Sequence, residues 1–106
     1  MSAPTAQSVK ELIAAKPIFV AAKSYCPYCQ ASKSTLFKEL NVPADKATVL
    51  DLDQMQDGQA IQAILAELTQ QNTVPNIFIN GKHIGGNSDL QALKNNGELQ
   101  KLVAAL

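Results

Sequence analysis

Two cysteines, Cys26 and Cys29, are the only ones in this chain of 106 residues. They stand in the stretch Ser24-Tyr25-Cys26-Pro27-Tyr28-Cys29, where an apolar run, Ile18-Phe19-Val20-Ala21-Ala22, gives way to a helix-like segment, Gln30 to Leu40. A C-x-x-C pair at a strand-to-helix junction reads as a redox dithiol. The physical reason is that a thiolate, not a thiol, attacks a disulfide. Free N–H groups at a helix start, with the positive end of its dipole, favour the thiolate form of a cysteine placed there. Spacing alone leaves more than one redox family open.

The rest of the composition narrows the setting. A chain of this length holds one core, so a single domain over residues 1–106 is expected. Nine lysines, no arginine and nine acidic residues balance to a formal net charge of zero. That balance gives no electrostatic basis for a nucleic-acid partner or an anionic membrane surface. Two cysteines are too few for a disulfide framework. A tetrahedral zinc site needs more ligands than two cysteines and the one histidine, His83, provide, so no metal is expected. Met1 to Ser8 lacks the basic and apolar regions of a signal peptide, and no apolar run nears the ~20 residues that span a bilayer. The expected compartment is the reducing cytoplasm, where a paired C-x-x-C is catalytic rather than structural. An alternative upstream start carrying a mitochondrial presequence is the other localisation considered.

In chain order, Thr5 to Lys16 carries Val9, Leu12 and Ile13 at helical spacing, with Ser8 and Glu11 as a candidate internal capping box. Pro17 ends that helix and the strand Ile18–Ala22 begins, apolar throughout and so expected to be buried on both faces. A helix is expected from about Tyr28 to Leu40, with Leu36, Phe37 and Leu40 as its apolar stripe, broken by Asn41-Val42-Pro43. Residues 47–52 read as a second strand, parallel to the first because a helix separates them. Asp57-Gly58 opens a helix with Ile61, Ile64, Leu65 and Leu68 on one face. Asn76–Ile79 and Lys82–Ile84 flank Asn80-Gly81, a type I′ hairpin signal. Gly85-Gly86-Asn87 is a turn, Ser88 to Gln91 a capping box that starts a helix, and Glu98 to Leu106 a last one. The order α, β-α-β, α, β-β-α, α predicts an α/β thioredoxin-like fold, with a central four-stranded mixed sheet flanked by helices.

Three motifs then carry a resemblance. Cys26-Pro27-Tyr28-Cys29, Thr73-Val74-Pro75 and Gly85-Gly86-Asn87-Ser88-Asp89, in this order and spacing, resemble a dithiol glutaredoxin of the Cys-Pro-Tyr-Cys type. The run Thr73 to Asn87 is especially similar to the small yeast and fungal cytosolic members, and the likeness extends from about Val9 to the end. Thioredoxins proper carry Trp-Cys-Gly-Pro-Cys, and this chain has no tryptophan. Monothiol glutaredoxins carry Cys-Gly-Phe-Ser, with serine where Cys29 stands.

The resemblance implies a glutathione-dependent thiol–disulfide oxidoreductase. Cys26 would be the exposed nucleophile and Cys29 the resolving cysteine of the dithiol route. Lys23 and Gln62 would meet the glycine carboxylate of glutathione, and Tyr28 would lie beside the bound peptide. Pro75 would follow a cis bond that leaves the backbone of Val74 facing Cys26, ready to take an extended substrate as an added strand. Ser88 would bind the γ-glutamyl carboxylate and Asp89 the ammonium, at a helix start that suits a small zwitterion. His83 reads as a hairpin surface residue.

Glutathione is thus the expected co-substrate, and glutathionylated proteins and small disulfides the expected partners of a monomer. NADPH is not bound directly, since no dinucleotide fingerprint is present, and enters only through glutathione reductase. Two other readings remain. One is a dimer that holds an iron–sulfur cluster through Cys26 and glutathione, which in the family usually goes with a small residue where Pro27 stands. The other is a thioredoxin-like reductase independent of glutathione.

Overall fold

The computed structural model describes residues 3–106 of the chain. Helix α1 (Ala6–Ala15) leads into strand β1 (Ile18–Ala22), and α2 (Pro27–Lys33) follows it. Strand β2 (Ala47–Asp51) and helix α3 (Gly58–Thr69) come next, then the hairpin β3 (Asn76–Ile79) and β4 (Lys82–Gly85). Helices α4 (Asn87–Asn95) and α5 (Glu98–Ala104) close the chain. The four strands form one mixed sheet in the order β2-β1-β3-β4. β1 pairs parallel with β2 and antiparallel with β3, and β3 pairs antiparallel with β4. This is the expected thioredoxin-like arrangement.

β1 lies at the centre, and all five of its residues are inaccessible to solvent. Alternation of side chains along a strand sends them to opposite faces. Ile18, Val20 and Ala22 pack with Leu36, Leu90, Leu99 and Cys29. Phe19 and Ala21 pack on the other face with Val9, Ile13, Ile61 and Leu65. Each large apolar side chain buried this way stabilises the fold by about 1.5–3 kcal/mol, so both helical layers are anchored through one strand. Cys29 is a member of the first of these cores.

Several local expectations shift. The first helix is capped by Thr5 and not by Ser8: Thr5 Oγ1 accepts from the Ser8 N–H at 3.0 Å, and Ser8 Oγ accepts from the Thr5 N–H at 2.9 Å. The Ser8–Glu11 box is therefore displaced by one turn. Val9 explains it, since its N–H already bonds the Thr5 carbonyl and its side chain is fully buried. After Lys33 the second helix widens into a π-helical segment, Ser34–Glu39, and the Leu40 N–H bonds the Thr35 carbonyl. β2 stops at Asp51, and Leu52 opens a single 3₁₀ turn. The helix read as starting at Ser88 begins at Asn87, with Gly86 at its cap. The β3–β4 turn is as expected, with Asn80 and Gly81 both at positive φ, 53° and 78°.

Candidate active site

The carboxyl ends of β1 and β2 lie side by side, with Ala22 opposite Asp51, so the chain leaving each strand converges on one end of the sheet. Crevices at this edge are where ligands bind in open α/β sheets. The segment leaving β1 delivers Cys26 to the start of α2, where Cys26 is the N-cap and Pro27 takes the first helical position. Proline is suited to that position because the N–H it lacks has no partner there. The Cys26 Sγ accepts the Cys29 N–H at 3.3 Å, the role a serine or aspartate oxygen plays in an ordinary cap. In Cys-Pro-Tyr-Cys, then, the first sulfur closes the helix start, and an anionic sulfur there gains a charge-assisted bond.

The two cysteines are both free and differ sharply in environment. Cys26 is partly exposed, whereas Cys29, one turn on, is fully buried. Burial pushes the Cys29 thiol up to about 12, with the hydrogen bond and charge of Cys26 acting in the same direction. A backbone hydrogen bond from Lys23 and the Lys33 ammonium oppose this only in part.

The Val74–Pro75 bond is cis, and the Val74 carbonyl oxygen lies 3.8 Å from Cys26 Sγ, where it accepts the thiol proton. That loop is held from behind by polar side chains not anticipated from the sequence. Gln71 Nε2 donates to the Pro75 carbonyl at 3.0 Å. Asn76, buried, donates to Thr69 Oγ1 at 3.3 Å and meets His83 Nε2 at 2.8 Å. His83 is exposed, as read, but its ring also rests against Phe78, with centroids 5.1 Å apart.

Next to this loop stands the Gly85-Gly86 turn. A Cβ on Gly86 would lie 3.7 Å from the Pro75 carbonyl, and one on Gly85 would strike the Asp89 carboxylate. Gly85 also has φ +120°, a conformation glycine alone adopts readily. Asp89, not Ser88, completes the cap of α4: its Oδ2 accepts the Gly86 N–H at 3.0 Å. The capping role read for Ser88 is thus corrected. Ser88 and Asp89 are both exposed in the first turn. A buried polar seam ties α2 to α4. Ser32 Oγ donates to Asn87 Oδ1 at 2.9 Å, and Gln91 Nε2 bridges Asn87 Oδ1 and Thr35 Oγ1 at 3.1 and 2.9 Å. Helix α2, which begins at Cys26, and the Ser88-Asp89 turn are therefore fixed relative to each other.

Beside the segment that leads into Cys26, a cleft of about 410 Å³ is lined by Lys23, Tyr25, Asp53, Met55, Gln59 and Gln62 among others. Lys23 and Gln62 line the same cleft, and Gln62 Nε2 donates to the Asn72 carbonyl at 3.0 Å. Tyr28 is 68% exposed on α2 and is not part of this cleft; Tyr25, given no role from the sequence, takes a place in the cleft wall. A larger hollow, about 760 Å³, lies between β4, α4 and α5 and meets the expected set only at Asp89. Neither hollow is lined by a cysteine, but the smaller one is walled by Lys23 and Tyr25, the segment that runs directly into Cys26. Among the described residues no three His, Cys, Asp or Glu side chains gather as metal ligands, and no helix is long and apolar enough to cross a membrane.

Comparison with known proteins agrees with this geometry. Residues 18–84 match the family model described as Glutaredoxin. The chain is 56% identical over 103 residues to Glutaredoxin-1 of Saccharomyces cerevisiae, covering 97% of this chain and 94% of that protein. It is 52% identical over 98 residues to Glutaredoxin-1 of Rhizophagus irregularis, covering 92% and 93%. Among solved structures, a buckwheat glutaredoxin–glutathione complex superposes with a TM-score of 0.85 at 39% identity, covering 94% of this chain and 87% of that one.

Proposed function

The chain belongs to the glutaredoxin family of glutathione-dependent thiol oxidoreductases, and within its site we propose a division of labour centred on Cys26. The observation that carries this reading is the position of the Cys26 sulfur. It caps α2, accepts the Cys29 N–H and faces the Val74 carbonyl, while the second thiol is buried and held protonated.

The Cys26 thiolate attacks the glutathione sulfur of a glutathionylated protein. A Cys26–glutathione disulfide forms, the bond to the protein sulfur breaks, and the departing thiolate takes a proton from solvent. The thiolate of a second glutathione then attacks the glutathione sulfur on Cys26. Glutathione disulfide leaves, and Cys26 returns as thiolate with the electron pair of the broken bond. Neither step requires Cys29.

Cys29 serves the dithiol route. Once Cys26 is in a mixed disulfide with a substrate, its charge and its hydrogen bond to the Cys29 thiol are gone. Two of the influences that hold the Cys29 proton disappear with them. Cys29 then loses that proton more readily, attacks Cys26 Sγ and releases the substrate thiol, leaving a Cys26–Cys29 disulfide for glutathione to reduce.

Glutathione is positioned by Lys23 and Gln62 at its glycine carboxylate, by Val74 and Pro75 along its backbone, and by Ser88 and Asp89 at its γ-glutamyl end. Tyr28 borders the same surface. The enzyme works as a monomer in a reducing compartment such as the cytoplasm, and NADPH reaches it only through glutathione reductase. The test is the choice of reductant. A glutathionylated peptide is expected to be reduced with glutathione, glutathione reductase and NADPH. Turnover with thioredoxin reductase alone would overturn the reading.

A further inference from the structure

One carboxylate beside the site has a set of bonds that the mechanism above does not use. Asp53 follows the end of β2, and its partner Ser24 lies 29 positions earlier, just after β1. Asp53 Oδ1 accepts the Ser24 N–H at 2.8 Å, and Oδ2 accepts the Ser24 hydroxyl. Gln54 Nε2 donates to the same Oδ2 at 3.0 Å. Gln30 Nε2 donates to the Ser24 carbonyl at 3.1 Å, and the Cys26 N–H bonds the Lys23 carbonyl at 3.1 Å. Every backbone and side-chain polar group of Ser24 is thus engaged, on an exposed segment where such groups ordinarily bond water.

The consequence falls on Lys23. Asp53 and Lys23 line the same cleft, and an aspartate beside a lysine ordinarily forms an ion pair. Here both carboxylate oxygens are taken by neutral donors, and Lys23 makes no ion pair among the described residues. Charge-assisted bonds of this kind are about twice as strong as neutral ones, and a pair of them fixes both position and orientation. The hydrogen bonds from Ser24 hold the Asp53 carboxyl well below the usual carboxylate range, at about 2, so the clamp stays charged at any physiological pH.

We propose that Asp53 is a positioning residue for glutathione binding: by clamping Ser24 it aims the Lys23 ammonium into the cleft and leaves that cation unpaired for the substrate's glycine carboxylate. Asp53 touches no substrate, and its effect passes through Lys23. The inference rests on the glutathione reading of the site and assigns that reading a part the family motifs do not contain.

The experiment is steady-state kinetics on a glutathionylated peptide with glutathione, glutathione reductase and NADPH. Asp53→Ala is expected to raise KM for the peptide about tenfold with kcat little changed, the scale of losing charge-assisted hydrogen bonds. Asp53→Asn, whose amide oxygen can take the Ser24 N–H and whose NH₂ can donate to the Ser24 hydroxyl, is expected to restore most of that loss. Lys23→Ala is expected to raise KM similarly, and Lys23→Ala/Asp53→Ala no further than Lys23→Ala alone. An unchanged KM in Asp53→Ala, or effects that multiply in the double variant, would overturn the proposal. If Asp53→Ala does not fold, Ser24→Ala carries the same test, and an unchanged KM there overturns it equally. A wild-type enzyme inactive with glutathione would instead refute the functional reading itself.

Discussion

The Cys29 backbone nitrogen stands 3.3 Å from the Cys26 sulfur, so the residue proposed to resolve the reaction also supports the proposed nucleophile through the backbone. The two roles are separable. A serine at position 29 keeps the N–H and loses only the thiol, whereas a serine at position 26 loses the reacting atom.

The burial difference between the thiols predicts selective alkylation. Cys29 is raised from 9.0 to about 12, so the folded protein holds this proton more tightly than the unfolded chain does. Its contribution to stability is full below about 9 and is lost as the pH rises from there toward 12. Near neutral pH, iodoacetamide should therefore label the native protein once, at Cys26, and twice only in denaturant. Comparable labelling of Cys29 in the native protein, read by peptide mass spectrometry, would contradict this.

Asp53 works in the opposite sense. Its folded-state value, about 2, lies below its ordinary 3.8, so the unfolded chain binds the proton more readily. The stabilisation is present above about 4 and disappears as the pH falls through 2. The thermal midpoint of wild type should exceed that of Asp53→Asn at neutral pH, and the gap should close on acidification. A gap independent of pH would count against the clamp.

The seam between α2 and α4 can be tested by stability alone. Asn87→Ala leaves the fully buried Ser32 hydroxyl without its acceptor, at a cost of about 1–3 kcal/mol. Removing both partners should cost less than the sum of the single changes, because no orphaned group remains. Denaturant midpoints of Asn87→Ala, Ser32→Ala and the double variant give the comparison, and strict additivity would argue that the bond contributes nothing.

Gly85→Ala combines a strained φ with a collision against Asp89. A loss of about 1–3 kcal/mol in stability is expected from the backbone conformation. Displacement of Asp89 should add a rise in KM for glutathionylated substrate. A variant with native KM would show that Asp89 has no part in binding.

Much of this was legible from residues. β1 declared itself by an unbroken apolar run, the hairpin by Asn80-Gly81, and the site by Cys26, Val74-Pro75 and the Gly85-Gly86 turn. What stayed hidden depended on contacts between distant segments. Ser8 and Thr5 are equally good caps on paper, and the packing of Val9 decided between them. Ser88 lost its capping role because the helix cap falls two residues earlier, at Gly86, sending Asn87 to Ser32. Asp53 and Tyr25 look like ordinary surface residues until the β1–β2 register sets their loops side by side. That register offered the one available signal, since loops leaving adjacent parallel strands at the same end must meet.

The most direct test of the account is the glutathione-coupled rate of Cys29→Ser against Cys26→Ser on a glutathionylated peptide. Cys29→Ser should retain most of the wild-type rate, despite a stability cost of about 1–3 kcal/mol for burying a hydroxyl. Cys26→Ser should show no turnover above background. Substantial activity in Cys26→Ser, or its loss in a folded Cys29→Ser, would contradict the assignment of Cys26 as the sole essential nucleophile.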